Sequence, residues 1–224
     1  MSTYKKILEI AFRTLSKKLS VDEKFIVDIY DDEQSWSFIS KLAQLFEGVF
    51  TEILVQRLNE PETFGMISNL PQSTRIALSH DLKIINKEQK LIFLTIAEIR
   101  NDYIHNIPNM GVSLNKYLSR LKKSRQTEIF KRFKPFISDK EITSEKFIED
   151  CKNQIFIVCA LEILTAHANV EALHAKREHK NFRAEQAEKI LPKKLENSSF
   201  IEDRLVIFDH VENARDILKK NGLL

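Results

Sequence analysis

KEQKLIFLTIAEIRNDYIHN, residues 87–106, is the stretch whose pattern decides the fold. Its first half is apolar on nearly every side, with Leu91, Ile92, Phe93, Leu94 and Ile96 inside six positions. A helix of that kind sits inside a bundle. At 100° per residue Ile92, Ile96, Ile99 and Tyr103 form one stripe, and Phe93, Ala97 and Ile104 form a second about 100° round from it. Asn86 is placed to cap the start, and Pro108 and Gly111 stop the end.

Outward from this segment the period stays helical. Upstream, residues 4–19 space apolar side chains at intervals of three and four, and a shorter helix is expected over 21–29. Asp31 and Asp32 supply capping groups ahead of a long periodic segment, residues 35–59, which carries Trp36, Ile39, Leu42, Phe46, Val49, Phe50, Ile53 and Leu54 on one broad face. Pro61 helps stop it, and a further helix is expected over 73–85. Downstream, residues 112–136 form one or two helices. Thr143 or Ser144 then opens the longest candidate, which runs through Cys151 and turns charged from Glu171 to Pro192. A last helix over about 201–220 closes at Asn221-Gly222.

Composition agrees with an all-α architecture. Four Gly and five Pro stand against thirty-five Lys plus Arg and thirty-two Asp plus Glu in 224 residues, which leaves little material for strands and tight turns. The expected organisation is an N-terminal helical extension over 1–32, a bundle over 33–175 and a C-terminal helical extension over 176–224. A net charge of +3 is too small to identify nucleic acid as a partner, so any such case rests on where the charges cluster. Cys151 and Cys159, eight positions apart on one helix, sit about 12 Å apart at 1.5 Å per residue, too far to be bridged. With no secretory leader in the opening residues, that points to a reducing cytoplasm. The run 155–166 is interrupted by Glu162 and falls short of a membrane span, so no membrane partner is expected.

Chemistry concentrates at the end of the opening stretch. Arg100-Asn101-Asp102-Tyr103-Ile104-His105 is an Arg, four residues and a His, with a polar residue directly after the Arg. Arg100 falls between the two apolar stripes, where a guanidinium that cannot lose its charge needs an anionic or carbonyl partner. Asn101 and His105 are four apart and share a face turned away from both stripes. RNA cleavage needs a base for the 2′-hydroxyl proton, an acid for the leaving 5′ oxygen and a cation for charge developing on phosphorus. A histidine and an arginine can supply these without metal or cofactor.

This hexapeptide at the C-terminal end of a bundle helix resembles the R-x(4–6)-H motif of HEPN domains, metal-independent ribonucleases common among toxins and antiviral defence proteins. The layout from Ser35 to Asn106, with Arg75-Ile76-Ala77-Leu78 leading to Leu82-Lys83-Ile84-Ile85 and then the motif helix, is also similar to the mannitol operon repressor family. The first resemblance implies a HEPN-like helical bundle acting as an endoribonuclease that leaves a 2′,3′-cyclic phosphate. Arg100 and His105 would be the catalytic pair, with Asn101 and Asp102 orienting His105 or contacting RNA. Since HEPN ribonucleases are usually dimers with two motifs facing one cleft, it also implies a homodimer, with an antitoxin or other regulatory protein as a second partner. The resemblance to the repressor family implies instead a non-catalytic regulator that binds protein or nucleic acid.

Two weaker signals lie downstream. Eight basic residues occur between Lys116 and Phe136 against the single acid Glu128, interleaved with Tyr117, Phe130, Phe133 and Phe136. Lys122, Lys123, Arg125 and Arg132 are the candidate RNA contacts of this segment, with the aromatics stacking on unpaired bases. The competing reading puts the aromatics in the core and leaves the cations to solvate a helix face. His167, Glu171 and His174 fall at i, i+4 and i+7, but a di-iron bundle takes two E-x-x-H elements plus further carboxylates, so no metal site is assigned.

Overall fold

A computed structural model describes residues 3–195, and every regular element among them is helical. The helix expected over 201–220 lies outside the described residues. Eleven α-helices occur in the order α1 (Thr3–Leu19), α2 (Glu23–Tyr30), α3 (Ser35–Leu58), α4 (Phe64–Ser68), α5 (Gln72–Asp81), α6 (Lys87–His105), α7 (Ile107–Met110), α8 (Leu114–Arg120), α9 (Lys123–Phe133), α10 (Ser144–Glu149) and α11 (Cys151–Leu195). By contacts the chain divides into two compact units, Met1–Leu173 and His174–Leu224.

The first unit is built around α3 and α6. Helix α6 starts with a reciprocal cap, in which the Asn86 side chain accepts from the Gln89 N–H at 2.8 Å and the Gln89 side chain accepts from the Asn86 N–H at 2.8 Å. Ile92, Phe93, Ile96, Ile99 and Tyr103 are all buried, which is what its all-round apolar pattern demands. Phe93 meets Phe46 and Phe50 of α3 edge-on, at centroid distances of 5.0 and 4.9 Å, the geometry preferred by ring quadrupoles.

The first two helices join this same core through Leu15, Ile26 and Ile29. Phe12, Tyr30 and Phe156 form an aromatic triangle with centroids 5.0–5.6 Å apart, tying α1 and α2 to α11. Residues 151–184 are long and apolar enough to cross a membrane by length and composition. Ile155, Phe156, Cys159, Ile163, Ala166 and Val170 from that stretch are buried in the bundle. Cys151 and Cys159 are free and buried.

Three boundaries differ from those read in the sequence. Asp32 is not itself the N-cap of α3. Gln34 takes that position without a side-chain bond, while the Asp32 carboxylate accepts from the Gln34 N–H at 3.0 Å, the Ser37 hydroxyl at 2.6 Å and Lys41 Nζ at 2.5 Å. Helix α5 stops at Asp81 and not near 85, because Lys83 turns left-handed at φ 60° and the Ile84 N–H reaches back to Ser79 O at 2.9 Å. The long C-terminal helix is broken at Asp150, with Thr143 capping only the short α10. The Asp150 carboxylate then accepts from the Asn153 and Gln154 amides in the first turn of α11.

Gly48 sits in the middle of α3 on its exposed side, and a methyl group added there would meet nothing within 4 Å. Glycine in a helix interior is less favourable than alanine by about 1 kcal/mol. Gly48→Ala is therefore expected to raise the melting temperature by roughly 2–4 °C, read by circular dichroism. A lower melting temperature would contradict the open space seen above this position.

Candidate functional site

The last turn of α6 divides sharply between inside and outside. Ile99 and Tyr103 are buried, Arg100 and Ile104 are half-buried, and Asn101, Asp102 and His105 are exposed. Asn106 is extended, at φ −125° and ψ 90°, so His105 is the final helical residue. Pro108 then sits at the start of α7. The burial of one stripe forces this division, since turning α6 to hide His105 would expose Tyr103 and Ile99.

Arg100 donates from Nη1 to Asn101 Oδ1 at 3.2 Å, while its Nε is enclosed and has no hydrogen-bond partner. Among the described residues the anionic or carbonyl partner expected for this guanidinium is supplied by the neighbouring amide oxygen alone, with no carboxylate within ion-pair distance. His105 makes no hydrogen bond or ion pair to any described residue. In a regular helix five positions separate two side chains by about 140° and about 7.5 Å of rise, so Arg100 and His105 do not converge within one helix.

Asp102 is held most firmly. Its Oδ2 accepts from the Tyr117 hydroxyl at 2.5 Å, and its backbone carbonyl accepts from Asn109 Nδ2 at 3.1 Å. Tyr117 lies against Tyr103, with centroids 5.0 Å apart and planes at 36°, and Tyr103 donates to Val112 O at 3.1 Å. Two stacked phenols therefore brace the motif turn against α8. Tyr117 was read in the sequence only as one of the interleaved aromatics, because its separation of fifteen positions from Asp102 conceals the contact.

The basic segment is organised differently from an RNA track. Tyr117, Phe130 and Phe133 are buried and Phe136 is half-buried, so they are core residues and not a stacking platform. Arg132 donates to Thr95 Oγ1 at 2.7 Å and pairs with Glu98 at 3.4 Å and Glu128 at 2.5 Å. Arg125 pairs with Glu128 at 2.7 Å and also with Glu98. Glu98, on α6, was missed because it lies outside the basic run. Lys123 pairs with Glu145 at 3.0 Å, whereas exposed Lys122 has no carboxylate partner among the described residues. Exposed Lys116, Arg120 and Lys131 also lack one.

Of the histidine and acid cluster on α11, His167 is buried, and Glu171 is engaged by Lys18 Nζ at 2.6 and 2.9 Å. His174 belongs to the second unit and faces Glu178 at 3.9 Å. No group of three potential metal ligands occurs among the described residues. Neither of the two described cavities is lined by residues 100–105.

Burial pushes the phenols of Tyr103 and Tyr117 above the usual tyrosine range, Tyr117 further through its bond to the Asp102 carboxylate, and burial pushes the Cys151 thiol up to about 12. In each case the unfolded chain releases its proton first. Stability is therefore full below the unfolded values, about 8.5 for cysteine and about 10 for tyrosine, and falls as pH rises above them. Tyr117→Phe is expected to flatten the part of that slope above about pH 10 and to cost about 1–2 kcal/mol at neutral pH. Urea unfolding at a series of pH values measures both, and an unchanged alkaline slope would show that Tyr117 is not held as described.

No family model, curated protein or solved structure matches the chain.

Proposed function

We propose that the protein is a metal-independent endoribonuclease of HEPN type, acting in a reducing cytoplasm as a toxin or defence effector. The observation that carries this reading is the end of α6. There, among the described residues, an Arg without a carboxylate partner and a His whose side chain has no partner are presented five positions apart at the edge of a rigid core. Histidine exchanges protons near neutrality, and the guanidinium edge matches a phosphate.

In the proposed reaction the 2′-hydroxyl attacks the adjacent phosphorus as an imidazole takes its proton. The P–O5′ bond breaks, and a protonated imidazole returns a proton to the leaving 5′ oxygen. The products are a 2′,3′-cyclic phosphate and a 5′-hydroxyl. Arg100 balances charge on the non-bridging oxygens. Asp102, fixed by Tyr117, and Asn101 would orient His105 or contact the RNA. Because Arg100 and His105 diverge on one helix, a single phosphate is best enclosed by motifs from two protomers. The exposed Ile107 (79%) and Met110 (37%), immediately after His105, supply an apolar patch against which a second copy can pack.

The pairing of Arg125 and Arg132 with Glu98 and Glu128 favours a second reading, a regulator without catalysis. It removes much of the free positive charge beside the motif. Incubation of the purified protein with structured RNA in EDTA separates the two. The nuclease reading expects fragments ending in 2′,3′-cyclic phosphate, with the rate reduced about 10²–10⁴-fold in His105→Ala and helicity unchanged. RNA left intact by the wild-type protein would favour the regulator.

A further inference from the structure

Along the middle of α3 a cavity of 620 Å³ is lined by Leu19, Val21, Phe25, Leu45, Val49 and Phe64, with Gly48 among them. It opens to solvent between aromatic walls, for the lining residues Phe25 and Phe64 are 45% and 57% exposed. Isolated exposed apolar residues are ordinary, but several around one apolar groove mark a contact site. Gly48 adds an independent observation. The bundle does not need it, since the space a side chain would take is empty. A mid-helix glycine facing open space lets another backbone come close, and its helix-weakening effect then has a reason.

The charge around the groove selects the occupant. Glu47 and Glu52 line it, exposed Asp22 and Glu23 precede Phe25 together with exposed Lys24, which pairs with Asp28 at 3.3 Å, and exposed Glu60 and Glu62 precede Phe64. The lining cation Arg75 is buried, donates to Glu47 O at 2.9 Å and Thr51 Oγ1 at 2.8 Å and pairs with the Glu47 carboxylate at 3.5 Å, which leaves Glu52 as the lining acid without an ion pair among the described residues. An anionic membrane surface is therefore repelled. The chain's own residues 196–224 carry six acids against four Lys and Arg, the wrong sign for this rim.

We propose that this groove docks an amphipathic helix of a partner protein, one with basic residues flanking its apolar stripe. Its apolar side chains would enter between Phe25 and Phe64, its backbone would approach Gly48, and its Lys or Arg residues would meet the acidic rim. The surface is separate from residues 100–105, and the inference stands whether or not Arg100 and His105 cleave RNA.

The test is selection from a display library of helical peptides with randomised faces, carried out on the full chain. Binders should share basic residues beside an apolar i, i+3, i+4, i+7 stripe and should weaken as salt is raised. They should also lose about tenfold or more in affinity for Gly48→Phe, which projects a ring into the groove from a position where an added Cβ meets nothing within 4 Å, and for Glu52→Lys, which reverses a lining charge. Circular dichroism establishes that both variants remain folded. Groove binders that are acidic or uncharged would overturn the proposal. So would equal binding to Gly48→Phe, or a library that returns no groove-dependent peptide because residues 196–224 already fill the site.

Discussion

Complete burial of one face of α6 governs the rest of this structure. Ile92, Phe93, Ile96 and Tyr103 of α6 have no exposed surface and Ile99 has 1%. Exposing any of these side chains would cost about 1.5–3 kcal/mol. The helix can therefore neither rotate nor slide without exposing several at once. Its start is fixed by the Asn86–Gln89 cap, and Gln89 also donates to Glu162 of α11 at 2.6 Å. With rotation and start both set, the exit of the polar turn 100–105 from the bundle is a consequence of core packing. A reactive pair on such an element is held more tightly than one on a loop.

Electrostatics reinforces the same placement. Glu98 on the outer side of α6 accepts from Arg125 and Arg132 of α9, and Arg132 also reaches Thr95. Half-buried cations with several acceptors act as a clamp between two helices, in contrast to isolated surface pairs, which contribute little. Positive charge that looked available to a polyanion is thus committed to holding α9 on α6. Among the described residues Arg100, Lys116, Arg120, Lys122 and Lys131 are left without a carboxylate partner.

The core was legible in the sequence because periodicity reports directly on which faces are buried. Residues 87–106 and 35–59 read as helices, and they form α6 and α3 within a residue at each end. Boundaries without a chemical marker were not legible. Lys83 adopts a left-handed conformation that glycine would announce, and Asp150 breaks the long C-terminal helix with no proline or glycine present. Side-chain partners distant in sequence were also hidden. Tyr117 and Asp102 are fifteen residues apart, and Arg132 and Glu98 are thirty-four apart. The aromatics of α9 carry the same letters whether they stack on bases or fill a core, so only packing decides between those roles. The apolar groove at Gly48 arises from α1 to α4 together and has no signature in any one segment.

On the proposed function Arg100 and His105 grip one phosphodiester. The most direct measurement is a nuclear magnetic resonance titration of the protein with an RNA oligonucleotide whose 2′-hydroxyls are replaced by hydrogen, so that binding proceeds without cleavage. The account predicts saturable shifts of the His105 ring protons and the Arg100 Nε–H, lost when either residue is replaced. Saturable binding that leaves both groups unmoved while resonances elsewhere shift would contradict it.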